Sequence, residues 1–306
     1  MPAADMSDLN DVSDGSGLWS APTTLRALIG AQLRRLREAQ GISREEAAFL
    51  IRGSNSKISR MEAGRTGFKA RDVADLLTLY GVTDDGARAS LLALVEQANA
   101  PSWWQEYREA IPDWFEPFLG LEQDACLIRA YEVQLVPGLL QTEDYARAVI
   151  TQGAKNAGSY SIEQRVALRM RRRRVLTRDD PARLWVVLDE AALHRRVAGE
   201  AIMRAQWEHL AKMSELPHVT IQVLPFTSSD CAGGLGPVTI LRFPQQQLPD
   251  VVYIEQLTTA HYLTKSADVL PYHALMDELG LAALPPEQTA GLLRELAAAK
   301  TGWVRG

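Results

Sequence analysis

A short polar run around Asn55 holds the side chains best suited to binding chemistry. The Asn55 amide can form two hydrogen bonds with adenine, and the cations of Lys57 and Arg60 can donate to guanine O6 and N7. Ser54 and Ser56 can donate to a phosphate or cap a helix, and the sequence leaves both roles open. Such side chains on one helix face would contact the edges of base pairs.

The polar run is predicted to lie on a short helix. Ser54 is a suitable N-cap, and Gly64 is suited to follow the last turn. Ile58 and Met61 have the spacing of an inward-facing side. The polar side chains are therefore expected on the outer face.

A second helix is predicted immediately before this one. Ser43, with Glu46 three residues later, has the pattern of a capping box. Ala47 and Ala48 are small enough to let two helices cross closely, and Gly53 interrupts the chain between them. Two short helices joined by a tight turn are typical of a helix-turn-helix, whose second helix lies in the major groove.

Further helices are predicted around this pair, at about 23–40, 70–80 and 85–98, which makes five. We expect an all-α, five-helix DNA-binding domain at 23–82. A linker helix is expected at 83–102.

Charge is distributed unevenly along the chain. In total, 33 Lys and Arg stand against 38 Asp and Glu, a net charge of −5 that argues weakly against nucleic acid as a ligand. Residues 1–20 carry four Asp and no cation, and 1–22 is expected to be a disordered acidic arm. Residues 21–82 carry eleven cations against six acids, a balance of +5, and 83–306 carries −6. The basic block coincides with the predicted helix-turn-helix.

Composition excludes several classes of protein. A hydrophobic content of 46% is too high for a wholly disordered chain, and no apolar stretch of about 18 residues predicts a membrane span. The first residues lack the pattern of a secretory signal. Cys126 and Cys231 are too few for a disulfide framework. We expect a cytoplasmic protein, associated with the nucleoid when bound to DNA.

The segments 42–48 and 54–65 together resemble the Cro/C1-type (XRE) helix-turn-helix family. The resemblance extends over about 24–82. It implies a lambda-repressor-like domain that binds double-stranded DNA and regulates transcription. Where that family commonly has glycine and then an apolar residue in the turn, this chain has Arg52 and Gly53.

The resemblance also implies which side chains contact DNA. The positions that reach base edges are Asn55, Ser56, Lys57 and Arg60. Arg44 and Arg65 match positions that contact phosphates, and Ser54 belongs to the same surface. Lys69 and Arg52 are further candidates for backbone contacts, although Arg52 could instead adopt a left-handed conformation.

Other charged residues of this region have a structural interpretation. Glu62 is expected to hold the end of the third helix rather than contact DNA. Arg34, Arg35 and Arg37 are expected to form a solvated face or to pair with acids, with phosphate contact as the less favoured alternative.

After Pro101 the sequence changes character, and aromatic residues become frequent over 103–118. Helical segments, including one at about 121–133, precede and separate β-like runs. The runs lie at about 184–188, 219–224, 236–243 and 251–255. The last three are close together, as in a meander. We expect a C-terminal α+β domain at 103–306 with a small, mainly antiparallel sheet.

No catalytic or metal-binding pattern stands out in this domain. Its histidines lack metal spacing, no cofactor motif occurs, and we expect no enzyme. Asp189 and Glu190 could act as an acid–base pair, but helix capping is the favoured interpretation. The arginines of 169–174 could form a second DNA contact, but a salt-bridged helix is favoured.

Several segments of this domain resemble a domain of unknown function that follows Cro/C1-type modules in actinobacterial regulators. They include 136–146, 188–193, 222–226 and 252–255. The relatives include WhiJ-like and antitoxin-like regulators, and the resemblance implies transcriptional control without naming any chemistry.

Two functions follow as hypotheses. The first is a homodimeric regulator that binds a palindromic operator and whose C-terminal domain dimerises and senses a signal. The alternative is an antitoxin-like protein whose C-terminal domain binds a small protein encoded by an adjacent gene. A ligand pocket among the aromatic residues is a further possibility, although a core role is favoured for them.

Overall fold

The chain folds into two compact units, divided between Gln105 and Glu106. The computed structural model describes residues 22–153, 159–228, 236–244 and 248–299. The predicted acidic arm, except for Pro22, lies outside these residues.

Within residues 22–105 the N-terminal unit contains five α-helices. They are α1 (Pro22–Ala39), α2 (Arg44–Leu50), α3 (Asn55–Glu62), α4 (Ala70–Leu79) and α5 (Asp85–Ala98). All five contribute to one hydrophobic core. Leu91 and Val95 of α5 are buried in that core, so the helix that the sequence suggested as a linker packs with the other four.

The first four helices end in the same way. The residue two positions after each helix has positive φ, and the next amide donates back to a carbonyl of the last turn, which is a Schellman motif. Glycine occupies this left-handed position at Gly41, Gly64 and Gly81. At the end of α2 the position holds Arg52, with φ of 49°.

Close backbone packing joins α1 to α3. A Cβ atom added to Gly30 would lie 2.4 Å from the Met61 carbonyl oxygen, and one added to Gly64 would lie 2.7 Å from the Ala27 backbone. Only glycine permits these approaches, which fix the position of α3 against the core.

The C-terminal unit contains a six-stranded mixed sheet among its described residues. Its strands are β1 (Leu127–Glu132), β2 (Arg183–Asp189), β3 (Val219–Leu224), β4 (Val238–Arg242), β5 (Val251–Glu255) and β6 (Ala260–Leu263). Their spatial order is β3-β2-β1-β4-β5-β6. The pairs β1–β2 and β2–β3 are parallel, and the remaining three are antiparallel.

Helices surround this sheet and connect its strands. They are α6 (Glu116–Asp124), α7 (Glu143–Gly153), α8 (Ser159–Arg172), α9 (Glu190–His194), α10 (Glu200–Met213), α11 (Ser266–Ala282) and α12 (Pro286–Ala298). Short 3₁₀ segments occur at Trp103–Ala110, Gly138–Leu140 and Arg173–Leu176. Val269, Met276 and Leu279 of α11 pack against one face of the sheet.

The expected C-terminal domain is confirmed as α+β, but two details were wrong. The helix predicted at 121–133 ends at Asp124, and 127–132 is the central strand β1. The sheet is mixed, because β1 and β3 both pair in parallel with β2, and β3 does not lie beside β4 in the predicted meander. Antiparallel pairs still make up three of the five. A strand buried on both faces lacks the alternation that sequence patterns detect.

Candidate nucleic-acid interface

The outer face of α3 is polar and exposed. Asn55, Ser56 and Arg60 lie on it, while Ile58 and Met61 on the opposite side are buried in the core. This is the division that the sequence predicted.

Ser59 lies on the same exposed face but was not among the predicted contacts. It is three residues after Ser56, a spacing that places both side chains on one side of a helix. That spacing was visible in the sequence and could have identified it.

Two of the predicted contact residues have structural partners. Ser54 caps α3, since its Oγ accepts from the Lys57 amide at 3.1 Å. The Lys57 ammonium lies 2.5 Å from an Asp72 carboxylate oxygen on α4, and both side chains are largely buried. In this structure Lys57 is therefore directed toward α4.

Asn55 is held by α2. Its Nδ2 donates to the Glu45 carboxylate at 2.5 Å. Both residues are exposed.

The start of α2 is defined by the predicted capping box. Ser43 Oγ accepts from the Glu46 amide at 3.2 Å, and the Glu46 carboxylate accepts from the Ser43 amide at 2.8 Å. The hydrogen bonds that the Glu46 carboxylate accepts from the Ser43 amide and hydroxyl lower the pKa of Glu46.

The turn between α2 and α3 is a Schellman motif in which arginine, not glycine, holds the left-handed position. The Gly53 amide donates to Ala48 O at 2.8 Å and the Arg52 amide donates to Phe49 O at 3.1 Å. Arg52 thus adopts the left-handed conformation considered from the sequence, and its side chain is exposed. A non-glycine residue is strained there.

Glu62, at the end of α3, is a buried ionic centre. Its oxygens lie 2.5 Å from Arg37 Nε and 2.9 Å from Arg44 Nε, joining α1, α2 and α3. The Glu62 hydrogen bond raises the pKa of Arg37. The predicted structural role of Glu62 is confirmed. Arg44 donates to Glu62 from Nε, and its Nη groups make no hydrogen bond to other described residues.

Arg34 pairs with Glu38 at 2.8 Å, one turn along α1, as the sequence interpretation favoured. By contrast, some predicted DNA-contacting cations are exposed and form no ion pair within the described part of the chain. They are Arg52, Arg60, Arg65 and Lys69. Free cations next to an exposed polar helix are what phosphate binding requires.

Two family models match the chain. Residues 28–91 match a helix-turn-helix domain, which confirms the predicted motif and its DNA-binding class. Residues 115–295 match a domain of unknown function, DUF5753. The chain belongs to the DUF5753 family. Comparisons with curated proteins and with solved structures gave no significant match.

The DUF5753 match contains the arginine-rich segment, whose side chains are mostly engaged within the unit. Arg172 forms a bidentate pair with Glu122 at 2.7 and 2.8 Å, and Arg171 pairs with Glu106. Arg173 lies 3.1 Å from the His209 ring, whose pKa falls to about 4 because burial and Arg173 disfavour the charged imidazole. The favoured interpretation of a salt-bridged helix is confirmed for Arg171 and Arg172.

The carboxylates of the DUF5753 domain that suggested acid–base chemistry have structural partners. Asp189 caps α9 by accepting from the Ala191 amide at 2.9 Å. Glu190 accepts from the Phe226 amide at 2.8 Å and lies 3.2 Å from the His194 ring. The favoured capping role of Asp189 is therefore observed.

No group of acids, histidines and cysteines among the described residues has the arrangement of a metal site. Within the same part of the chain, no helix combines the length and apolar character needed to cross a bilayer. Cys231, Gly233 and Gly234 lie outside the described residues.

Proposed function

We propose that this DUF5753 protein is a sequence-specific transcriptional regulator whose helix α3 reads base pairs in the major groove. The observation that carries the proposal is the exposed polar face of α3. This helix follows a tight turn, and its apolar face is buried in the core. The match to the helix-turn-helix model supports the same class of ligand.

The proposed base-reading residues are Asn55, Ser56 and Arg60, with Ser59 added from the structure. Asn55 would pair with adenine and Arg60 with guanine. Lys57 would have to leave Asp72 to join them, so it is the least favoured of the predicted base contacts.

The cations around α3 are proposed to position the domain on the DNA backbone. Arg44, Arg52, Arg65 and Lys69 are proposed to contact phosphates, as is the amino-terminal turn of α3 beginning at Ser54. Their contribution depends on salt, because each neutralised phosphate releases counterions.

The lambda-repressor-like arrangement of five helices suits a dimer on a palindromic operator, with half-sites one turn of DNA apart. We propose a homodimer on this symmetry argument. No catalytic role is assigned, since the candidate carboxylates cap a helix and bind a backbone amide.

The test uses full-length protein and a DNA site obtained by selection. Asn55→Ala and Arg60→Ala should each weaken specific binding by roughly 1–3 kcal/mol and relax base preference at one position. Arg34→Ala is the matched control, because it removes an arginine already paired with Glu38. Equal losses in all three variants would refute base reading by α3.

A further inference from the structure

The carboxyl edge of the C-terminal sheet brings together charged residues that are incompletely paired. Strand β1 ends at Glu132 and β5 ends at Glu255. Thr239 of β4 pairs with Ala130 on one side and Tyr253 on the other. Glu132 lies two residues after Ala130, and Glu255 lies two residues after Tyr253. The two glutamates therefore lie opposite each other across β4 and on the same face of the sheet.

This position is also where connections diverge. From β1 the chain crosses to β2 and β3 on one side, and later to β4, β5 and β6 on the other. Because β4 runs antiparallel to β1 and β5, the carboxyl ends of β1 and β5 lie on either side of the start of β4 at this edge.

Arg172 and Arg169, one turn apart on α8, differ in their partners. Arg172 is satisfied by Glu122 and lies over the Phe115 and Phe118 rings, 5.2 and 5.5 Å from their centroids. Arg169 donates from Nη1 to the neutral amide of Gln141 at 3.0 Å and forms no ion pair with any described residue. Its positive charge therefore lacks a direct counterion.

Gln141 is fixed in turn. It is buried, and its Nε2 donates to Val136 O at 2.6 Å. This leaves the Gln141 oxygen directed at Arg169. The guanidinium is thus held in place by a neutral group while most of its donors stay unused.

Gly138 lies against both guanidinium groups. A Cβ atom added there would be 3.3 Å from Arg172 Nη1 and 3.8 Å from Arg169 Nε. Its φ is not positive, so the conformation does not demand glycine. A side chain at this position would press against Arg172, and glycine leaves a narrow space beside the two arginines.

Glu132 interacts electrostatically with both arginines and accepts no hydrogen bond from any described residue. Burial and the neighbouring Glu255 raise the pKa of Glu132 to about 8, against the opposing effect of Arg169 and Arg172. Burial and Arg172 lower the pKa of Arg169 to about 10. At neutral pH the site therefore offers a guanidinium and a mostly protonated carboxyl group, both of them donors.

We propose that Arg169, Glu132 and the space at Gly138 form a binding site for a small organic carboxylate. The carboxylate would accept from Arg169 in the planar, two-bond geometry that guanidinium favours, and from the Glu132 hydroxyl. A singly charged ligand fits better than a phosphate dianion, because Glu122 and Glu255 already offset part of the positive charge of Arg169.

The test is direct binding by the full-length protein without DNA, so its outcome is independent of the proposed regulatory function. Acetate and benzoate are titrated by calorimetry and thermal shift, with sodium chloride at matched ionic strength and inorganic phosphate as the rival anion. At least one carboxylate should bind and raise the melting temperature. If none does so beyond chloride, or if phosphate alone does, the proposal is overturned.

Two variants and a control assign the site. Arg169→Gln should weaken carboxylate binding at least tenfold, whereas Arg204→Gln, an exposed arginine on α10, should leave it unchanged. In the wild type, raising pH from 7 to 9 should weaken binding about tenfold, as Glu132 loses its proton. Glu132→Gln keeps a donor and should bind without this pH dependence. Unchanged affinity in Arg169→Gln, or a pH dependence that persists in Glu132→Gln, would contradict the assignment.

Discussion

The carboxylate of Glu45, in the first turn of α2, accepts a hydrogen bond from the side-chain amide of Asn55, the first residue of α3, across 2.5 Å. A carboxylate can only accept, so the Asn55 nitrogen must be the atom that faces it. The second N–H and the oxygen of the amide remain free, and this is the pair that adenine N7 and N6 require. Glu45 therefore fixes the orientation in which Asn55 can read adenine.

Glu45→Ala is expected to reduce the preference for adenine at the position read by Asn55, because the amide can then rotate. The loss should be smaller than the roughly 1–3 kcal/mol of Asn55→Ala. Competition between sites that differ at one base pair measures it. Glu38→Ala, which removes an acid paired with Arg34 and Arg37 on α1, is the control. An unchanged preference in Glu45→Ala would contradict the orienting role.

Arg52→Gly should raise the free energy of unfolding by about 1 kcal/mol, because glycine adopts the left-handed conformation without strain. The same change removes a free cation and should weaken DNA binding if Arg52 contacts a phosphate. Denaturant unfolding and a salt titration of binding measure the two effects separately. A stability gain with unchanged affinity would assign Arg52 to the turn alone.

Glu62→Gln should lower the free energy of unfolding by about 3–5 kcal/mol, since it leaves the buried Arg37 with only its longer contact to the exposed Glu38 as a counter-charge. The matched control, Glu38→Gln, removes an exposed partner and should cost less than about 1 kcal/mol. Urea unfolding of both variants compares them. Similar losses for the two would show that the Glu62 centre does not hold the three helices together.

Stability should fall as pH rises from about 4.5 to about 8, through the contribution of Glu132. Its pKa is raised in the folded protein, so the folded state binds more protons than the unfolded state in this interval. Glu132→Gln should flatten this part of the pH profile, measured by thermal unfolding in buffers of constant ionic strength. A profile that is identical in the variant would contradict the raised pKa.

The sequence predicted the N-terminal unit well because its signals are local. Ser43, Ser54 and the glycines after α1, α3 and α4 mark helix ends through contacts within a few residues. The exposed polar face of α3 followed from periodicity, but the pairing of Lys57 with Asp72 could not, since it joins residues fifteen positions apart on different helices.

The C-terminal unit was less predictable because its organisation depends on distant pairings. The strands β2, β3, β4 and β5 were found close to their observed positions, but the parallel neighbour of β2 is a strand more than fifty residues earlier. Fifty residues separate Glu122 from Arg172, so the sequence could suggest an ion-paired helix but not name the partner.

The central claim is that α3 reads a specific DNA sequence, and selection of bound DNA from a random pool by the full-length protein tests it most directly. We expect enrichment of a recurring motif with adenine and guanine at the positions read by Asn55 and Arg60, and binding that weakens steeply with salt. Recovery of a pool without any enriched sequence, at salt concentrations where the protein still binds, would contradict the claim.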